Sequence, residues 1–205
     1  MNLQVKNPAR PRVGAGFKPA PTTNIKVNRP RGDPPLNLVL IGYRGTGKTE
    51  VSKLLGKRLS MGRVGMDEVL VERFGKSIPE FVRERGWDAF RDTESQLARE
   101  LALSDRLVVD CGGGVVVREE NVAALRERGR VVWLKATVPT IANRISGDSQ
   151  RPSLTGGKSF LEEIEEVLAR RLTLYEKASD YSVDTDSLGV SEVVEDVVAW
   201  WNRGH

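Results

Sequence analysis

The segment that most restricts this chain runs from Leu38 to Thr49, LVLIGYRGTGKT, where an apolar run leads directly into Gly42, Gly47, Lys48 and Thr49 at G-x-x-x-x-G-K-[ST] spacing. The spacing carries a specific chemistry. Glycines let the backbone curl until consecutive N–H groups face one anion, the lysine reaches the outer phosphates of a nucleotide, and the hydroxyl that follows can ligate Mg²⁺. Such a loop works only between a buried strand and a helix. Leu38 to Ile41 supply the strand, and Val51, Leu54, Leu55 and Leu59 recur at helical spacing after the loop.

Downstream, the hydropathy pattern alternates. Strands are expected at Leu107–Asp110, Val131–Leu134 and Tyr181–Val183, with helices near residues 68–74, 79–85, 89–103, 118–128, 138–146, 160–178 and 191–202. Alternation of this kind implies an α/β fold with a mostly parallel sheet covered on both faces, and ligands bound beyond the carboxyl ends of the strands. No internal repeat is visible. Gly147 to Ser159, GDSQRPSLTGGKS, is polar, Gly-rich and broken by Pro152, so it reads as a mobile loop and a lid candidate.

Charge divides the chain. Residues 1–35 hold seven Lys or Arg against Asp33 alone, together with seven prolines; of the whole-chain net charge of +4, the other 170 residues therefore carry −2. A basic, Pro-rich segment with few large apolar residues cannot offset its ordering entropy, so residues 1–35 are expected to be a disordered tail and residues 36–205 the folded domain. Nucleic acid is a weak candidate partner for the tail, because only Phe17 is available for stacking. The tail has no apolar h-region of a secretory signal and few serines for a transit peptide, and nothing elsewhere approaches a membrane span, so a cytoplasmic protein is expected. One cysteine and one histidine exclude an internal disulfide and a His/Cys metal cluster. Cys111 at the end of LVVDCGGG reads as a buried thiol, and His205, the last residue, as no general base.

A phosphate cradle names the donor only. Candidates for an acceptor site are Asp67 in GMDEVLVERFG, Arg91 in AFRDTE, the run Gly112 to Gly114, Arg151 in the lid candidate and Arg171 in the long helix after it. Each has a plainer alternative. Asp67 could be a helix N-cap worth about 0.5–2 kcal/mol. Arg91 could pair on its helix surface with Glu94 or Ser95, and Arg171 could belong to a salt-bridged face with Arg170, Glu166 and Glu163. Arg151 could simply aid solubility. Three successive glycines could form a tight turn, although close backbone approach to a ligand explains all three better.

Taken in order, these pieces resemble shikimate kinase from about Leu38 to Trp201: GYRGTGKT, MDEVLVERFGKSI, GWDAFRDTES, VDCGGGVV, QRPSL and RRLTLYEKASDY. The resemblance implies a three-layer α/β/α P-loop kinase fold with a mobile lid, and transfer of phosphate from ATP, with Mg²⁺, to the 3-hydroxyl of shikimate by a protein expected to be monomeric. Gly45, Thr46, Gly47, Lys48, Thr49 and Glu50 would hold the nucleotide phosphates, Thr49 the metal, and Arg144 would lie against the adenine. Arg91 and Arg171 would hold the substrate carboxylate, for which guanidinium forks suit better than lysine. Asp67 would orient the attacking hydroxyl. Gly113 would offer its N–H to the substrate where a Cβ would obstruct it, and Arg151 would swing in to join Lys48 in neutralising the transferring group.

Three positions depart from the family's pattern. Gly65 stands where the first acid of Asp-x-Asp is common, so any metal or water contact of that carboxylate is lost. Glu50 replaces a common hydroxyl and brings a carboxylate near the phosphates. Trp87 stands where Glu is common, which reads as surface variation. Two rival readings remain at this stage: another small-molecule P-loop kinase, of gluconate or nucleoside monophosphate type, and a nonenzymatic ATP-binding module with a basic arm.

Overall fold

In this computed structural model, residues 37–146 and 160–203 are described; the basic tail, the lid candidate and with it Arg151 lie outside the described residues. Among the described residues five strands, β1 (Asn37–Ile41), β2 (Gly62–Gly65), β3 (Leu107–Asp110), β4 (Gly129–Lys135) and β5 (Tyr181–Asp184), form one sheet in the order β2-β3-β1-β4-β5. Every pairing is parallel. The helices are α1 (Lys48–Arg58), α2 (Met66–Phe74), α3 (Ile78–Ala102), α4 (Glu119–Glu127), α5 (Val138–Ile145), α6 (Phe160–Ala178) and α7 (Val190–Arg203), with a 3₁₀ turn at Val115–Val117.

The central strand shows why the sequence read as it did. Along β1, Val39 and Ile41 face one core with Phe90, Leu97 and Trp133, whereas Leu38 and Leu40 face the other with Leu55, Val194 and Trp201. A strand packed on both faces must be apolar throughout, and full burial of each leucine contributes about 1.5–3 kcal/mol. In α1, Val51 and Leu55 turn inward as expected but Leu54 is exposed.

Two details differ from the sequence pattern. β2 was not marked as a strand by hydropathy, because GRVG contains a single large apolar residue; it forms as an edge strand, by pairing Gly62–Gly65 with Leu107–Asp110. The stretch Ile78–Ala102 is two helices, as expected, joined at Gly86, whose φ of 83° and ψ of 167° are not helical. Its start is fixed by a capping box between Ser77 and Glu80 with a proline in the first turn. Among the described residues no helix is long and apolar enough to cross a membrane.

Parallel pairing puts every strand's carboxyl end at the same edge. Gly42 follows β1, Asp67 follows β2 by two residues, and Gly112 follows β3, so three segments distant in sequence open onto one crevice.

Candidate active site

The donor side is built on the turn from β1 into α1. Gly47, the N-cap of α1, has φ 90° and ψ 6°, a left-handed conformation that costs a Cβ-bearing residue free energy and leaves the first-turn N–H groups of α1 open to an anion. Thr46 Oγ1 donates to the Tyr43 carbonyl at 2.8 Å and ties the loop to itself. Lys48 Nζ donates to the Gly42 and Tyr43 carbonyls, both at 2.9 Å, so its cationic end curls over the loop. A cavity of about 290 Å³ opens here, lined by Gly45, Gly47, Lys48, Thr49, Glu50 and Asp110 among others. Glu50 borders it, but its carboxylate pairs with Lys53 at 2.7 Å on the solvent side. Arg144 stands at the rim, donating to Thr185 Oγ1 at 3.0 Å and to the Gly45 carbonyl at 3.4 Å.

A second cavity of about 500 Å³ adjoins the first; Asp67, Arg91, Gly113 and Arg171 all line it, and Arg44, Asp67, Glu68 and Gly113 border both. Asp67 is not a capping residue: α2 is capped by Gly65 without a side-chain bond, and Asp67 lies in the first turn beside the crevice. Arg91 makes the pair with Glu94 that its spacing allows, at 2.6 Å, yet it faces the cavity. The arginines of α6 divide. Arg170 pairs with Glu166 on the exposed face, while Arg171 Nη1 donates to the Gly113 carbonyl at 2.9 Å.

Within the glycine run the protein's own atoms crowd the three positions unequally. At Gly113 an added Cβ would meet nothing closer than 3.4 Å, whereas at Gly112 it would lie 2.6 Å from Asp67 Oδ1, and at Gly114 2.1 Å from Arg91 Nη2. The tightest spots are therefore the neighbours of Gly113, and what they accommodate is the protein's own Asp67 and Arg91. Trp87 is exposed, as its reading as surface variation implies, and it also takes part in the site. It lines the larger cavity, packs edge-on against Phe90 at 5.7 Å and lies 5.4 Å from the Arg91 guanidinium, so it is part of the pocket wall.

Residues that the sequence did not assign to the site line it or bond to its lining. Glu94 is almost fully buried, and burial raises its carboxyl above the ordinary range while the Arg91 guanidinium opposes the rise. Tyr175, stacked on Trp133, donates to the Gly113 carbonyl at 2.5 Å, and burial pushes its phenol up to about 12. Arg44 pairs with the buried Glu163 of α6 at 3.2 Å. Arg44 lies inside the loop motif, where the motif's pattern leaves the residue unspecified. Cys111 is buried, with its thiol pushed well above the usual value by burial, and is inert.

Among the described residues no group of three or more His, Cys, Asp or Glu could hold a metal alone. That suits Mg²⁺ carried in with a nucleotide, because this ion keeps several waters and takes one or two protein oxygens beside the phosphates. The Thr49 hydroxyl and a strand-end carboxylate are available at the donor cavity.

A phosphate loop beside a pocket where Arg91 and Arg171 stand with Asp67 defines a P-loop phosphotransferase with a separate place for an anionic acceptor. Comparison with known proteins sharpens the class. The family model for shikimate kinase matches residues 44–202. A shikimate kinase of Nitratidesulfovibrio vulgaris is 42% identical over 163 residues, covering 78% of this chain and 92% of that relative. One from Thermodesulfovibrio yellowstonii is 38% identical over 167 residues, 82% of this chain and 95% of the relative. The solved shikimate kinase of Acinetobacter baumannii in complex with shikimate superposes with a TM-score of 0.78 at 26% identity, covering 82% of this chain and 93% of that one. A gluconokinase of Sinorhizobium meliloti, 14% identical with a TM-score of 0.52 over 82% of this chain and 93% of its own, shares the architecture alone. The chain belongs to the shikimate kinase family.

Proposed function

We propose that this enzyme transfers the γ-phosphoryl group of ATP to the 3-hydroxyl of shikimate. The observation that carries the reading is the meeting of Asp67, Arg91 and Arg171 in one cavity that shares a wall with the Lys48 cradle. A small hydroxylated acid needs that combination: guanidinium forks for its carboxylate and a carboxylate for its hydroxyls. The family membership and the shikimate-bound relative support the same acceptor.

In the mechanism that follows, Arg91 and Arg171 grip the substrate carboxylate, and Asp67 accepts the hydrogen bond of the attacking hydroxyl and aims it. Lys48 follows charge onto the departing oxygens, and the open N–H groups at the start of α1 hold the phosphates in line. Bound beside Thr49, Mg²⁺ supplies further charge neutralisation. Phosphoryl transfer through a loose transition state asks mainly for positioning and electrostatic stabilisation, which these groups provide. Arg151, which lies outside the described residues, is assigned by resemblance to the transferring group, and Arg144, at the rim by Gly45, to the base of the nucleotide.

The test is ADP production by the purified protein with ATP and Mg²⁺. It should rise in proportion to added shikimate and not with gluconate or nucleoside monophosphates, and Asp67→Asn should abolish it while ADP binding persists. ADP production indifferent to shikimate would refute the assignment.

A further inference from the structure

The donor cavity raises a question that the pattern of the chain leaves open. In P-loop enzymes the cation beside the loop hydroxyl is also served by an acid at the end of a neighbouring strand. Gly65, at the end of β2, has no carboxylate to offer, and the ends of two other side chains occupy the space where one would stand. A Cβ there would lie 2.8 Å from Glu68 Cδ and 2.9 Å from Arg63 Nη2. The Arg63 guanidinium fills this space: it donates to Asp110 Oδ2 at 3.0 Å and to Ser52 Oγ at 3.1 Å, and it also pairs with Glu68.

Asp110 is the last residue of β3, the strand directly beside the loop-bearing β1, and is in register with both Leu40 and Gly65. It borders the donor cavity together with Lys48 and Thr49. Its side chain is 8% exposed, whereas those of Glu68 and Glu50 are 59% and 63% exposed and their charges are screened by solvent. Asp67 borders both cavities, its Oδ1 set against Gly112, and is assigned to the acceptor's hydroxyl in the reading above. Ser52 Oγ, which accepts from Arg63, in turn donates to the Thr49 carbonyl at 2.8 Å, so the same cluster reaches the residue that offers its hydroxyl.

We propose that Asp110 is the strand-end carboxylate that receives the hydration shell of the divalent cation beside Thr49. In this chain the acid sits one strand nearer the loop than the vacant position at Gly65. The inference rests on the nucleotide-and-Mg²⁺ reading of the donor cavity.

Mn²⁺ titrated into the protein with ADP, with free Mn²⁺ followed by electron paramagnetic resonance, tests it without any turnover. Asp110→Asn should weaken Mn²⁺ binding about ten- to a hundredfold, the usual loss when an outer partner of a metal site is removed, while metal-free ADP affinity is kept. Because that variant leaves Arg63 without one of its anions, a second pair guards against misfolding. Arg63→Ala should retain Mn²⁺ binding, and Arg63→Ala with Asp110→Asn, which leaves neither charge unpaired, should show the same loss. Equal Mn²⁺ affinity in those two, with ADP binding intact, overturns the proposal alone. Absence of ADP-dependent Mn²⁺ binding in the unaltered protein overturns the donor-site reading as well.

Discussion

Gly114→Ala should separate the acceptor site from the donor site. The methyl group would lie 2.1 Å from Arg91 Nη2, 2.5 Å from Nη1 and 2.6 Å from Cζ, so it and the guanidinium cannot share the space. Backbone strain is not the issue, since the φ of −104° at Gly114 is open to any residue. The guanidinium ends a flexible stem, and it is what moves. Its displacement breaks the 2.6 Å pair with Glu94 and withdraws one of the three arginines lining the cavity. A charge-assisted bond to a substrate carboxylate contributes about 1.5–3 kcal/mol, or about 10- to 150-fold in affinity. Glu94 is left buried without its partner, a stability loss of about 1–3 kcal/mol, softened because burial already favours its protonated form. Initial rates of ADP formation against shikimate concentration should therefore show a KM raised by that factor, with ADP affinity unchanged. An unaltered KM, or equal weakening for both ligands, would refute the steric reasoning.

Two further outcomes are expected. Burial holds the Glu94 carboxyl above its ordinary value of 4.5, so the folded chain binds that proton more tightly than the unfolded chain; the stabilisation is complete below pH 4.5 and is lost as pH rises through the folded value. Urea midpoints of the unaltered protein relative to Glu94→Gln should accordingly fall from pH 4.5 toward neutrality, and a difference that grew with pH would contradict the sign. Asn37 is buried, accepts from Leu107 N at 3.0 Å and donates to the Ser104 and Leu101 carbonyls at 2.8 and 3.4 Å, joining the start of β1 to the end of α3 and the start of β3. Asn37→Ala should cost about 2–4 kcal/mol in chemical denaturation and leave KM for both substrates unchanged.

The parts of this molecule legible in its sequence are those set by local chemistry. The loop motif specifies its own strand and helix, because its geometry needs both, and Leu38 to Ile41 of β1, packed on two faces, had to be apolar. β2 escaped notice because an edge strand held by one neighbour needs no apolar run. Asp67, Arg91 and Arg171 could be named one at a time, yet their meeting depends on the parallel strand order, which brings segments more than a hundred residues apart to one edge. Tyr175 and the Arg63–Asp110 pair act through partners that the fold alone supplies, and although spacing allowed the Arg91–Glu94 pair, only the fold shows that it is buried at the site. Trp87 is at the surface, as read, but its contacts with Phe90 and Arg91 depend on how α3 folds past Gly86 and were not legible in the sequence.

Helix α6 grips both halves of the crevice at once: Glu163 near its start holds Arg44 of the nucleotide loop, and Arg171 two turns on holds the Gly113 carbonyl that fronts the acid. A single stiff rod thus spans two occupants that have no covalent link. Whatever ordering of that rod the first guest brings about is work the second is spared, and thermodynamic reciprocity makes the benefit identical whichever guest arrives first.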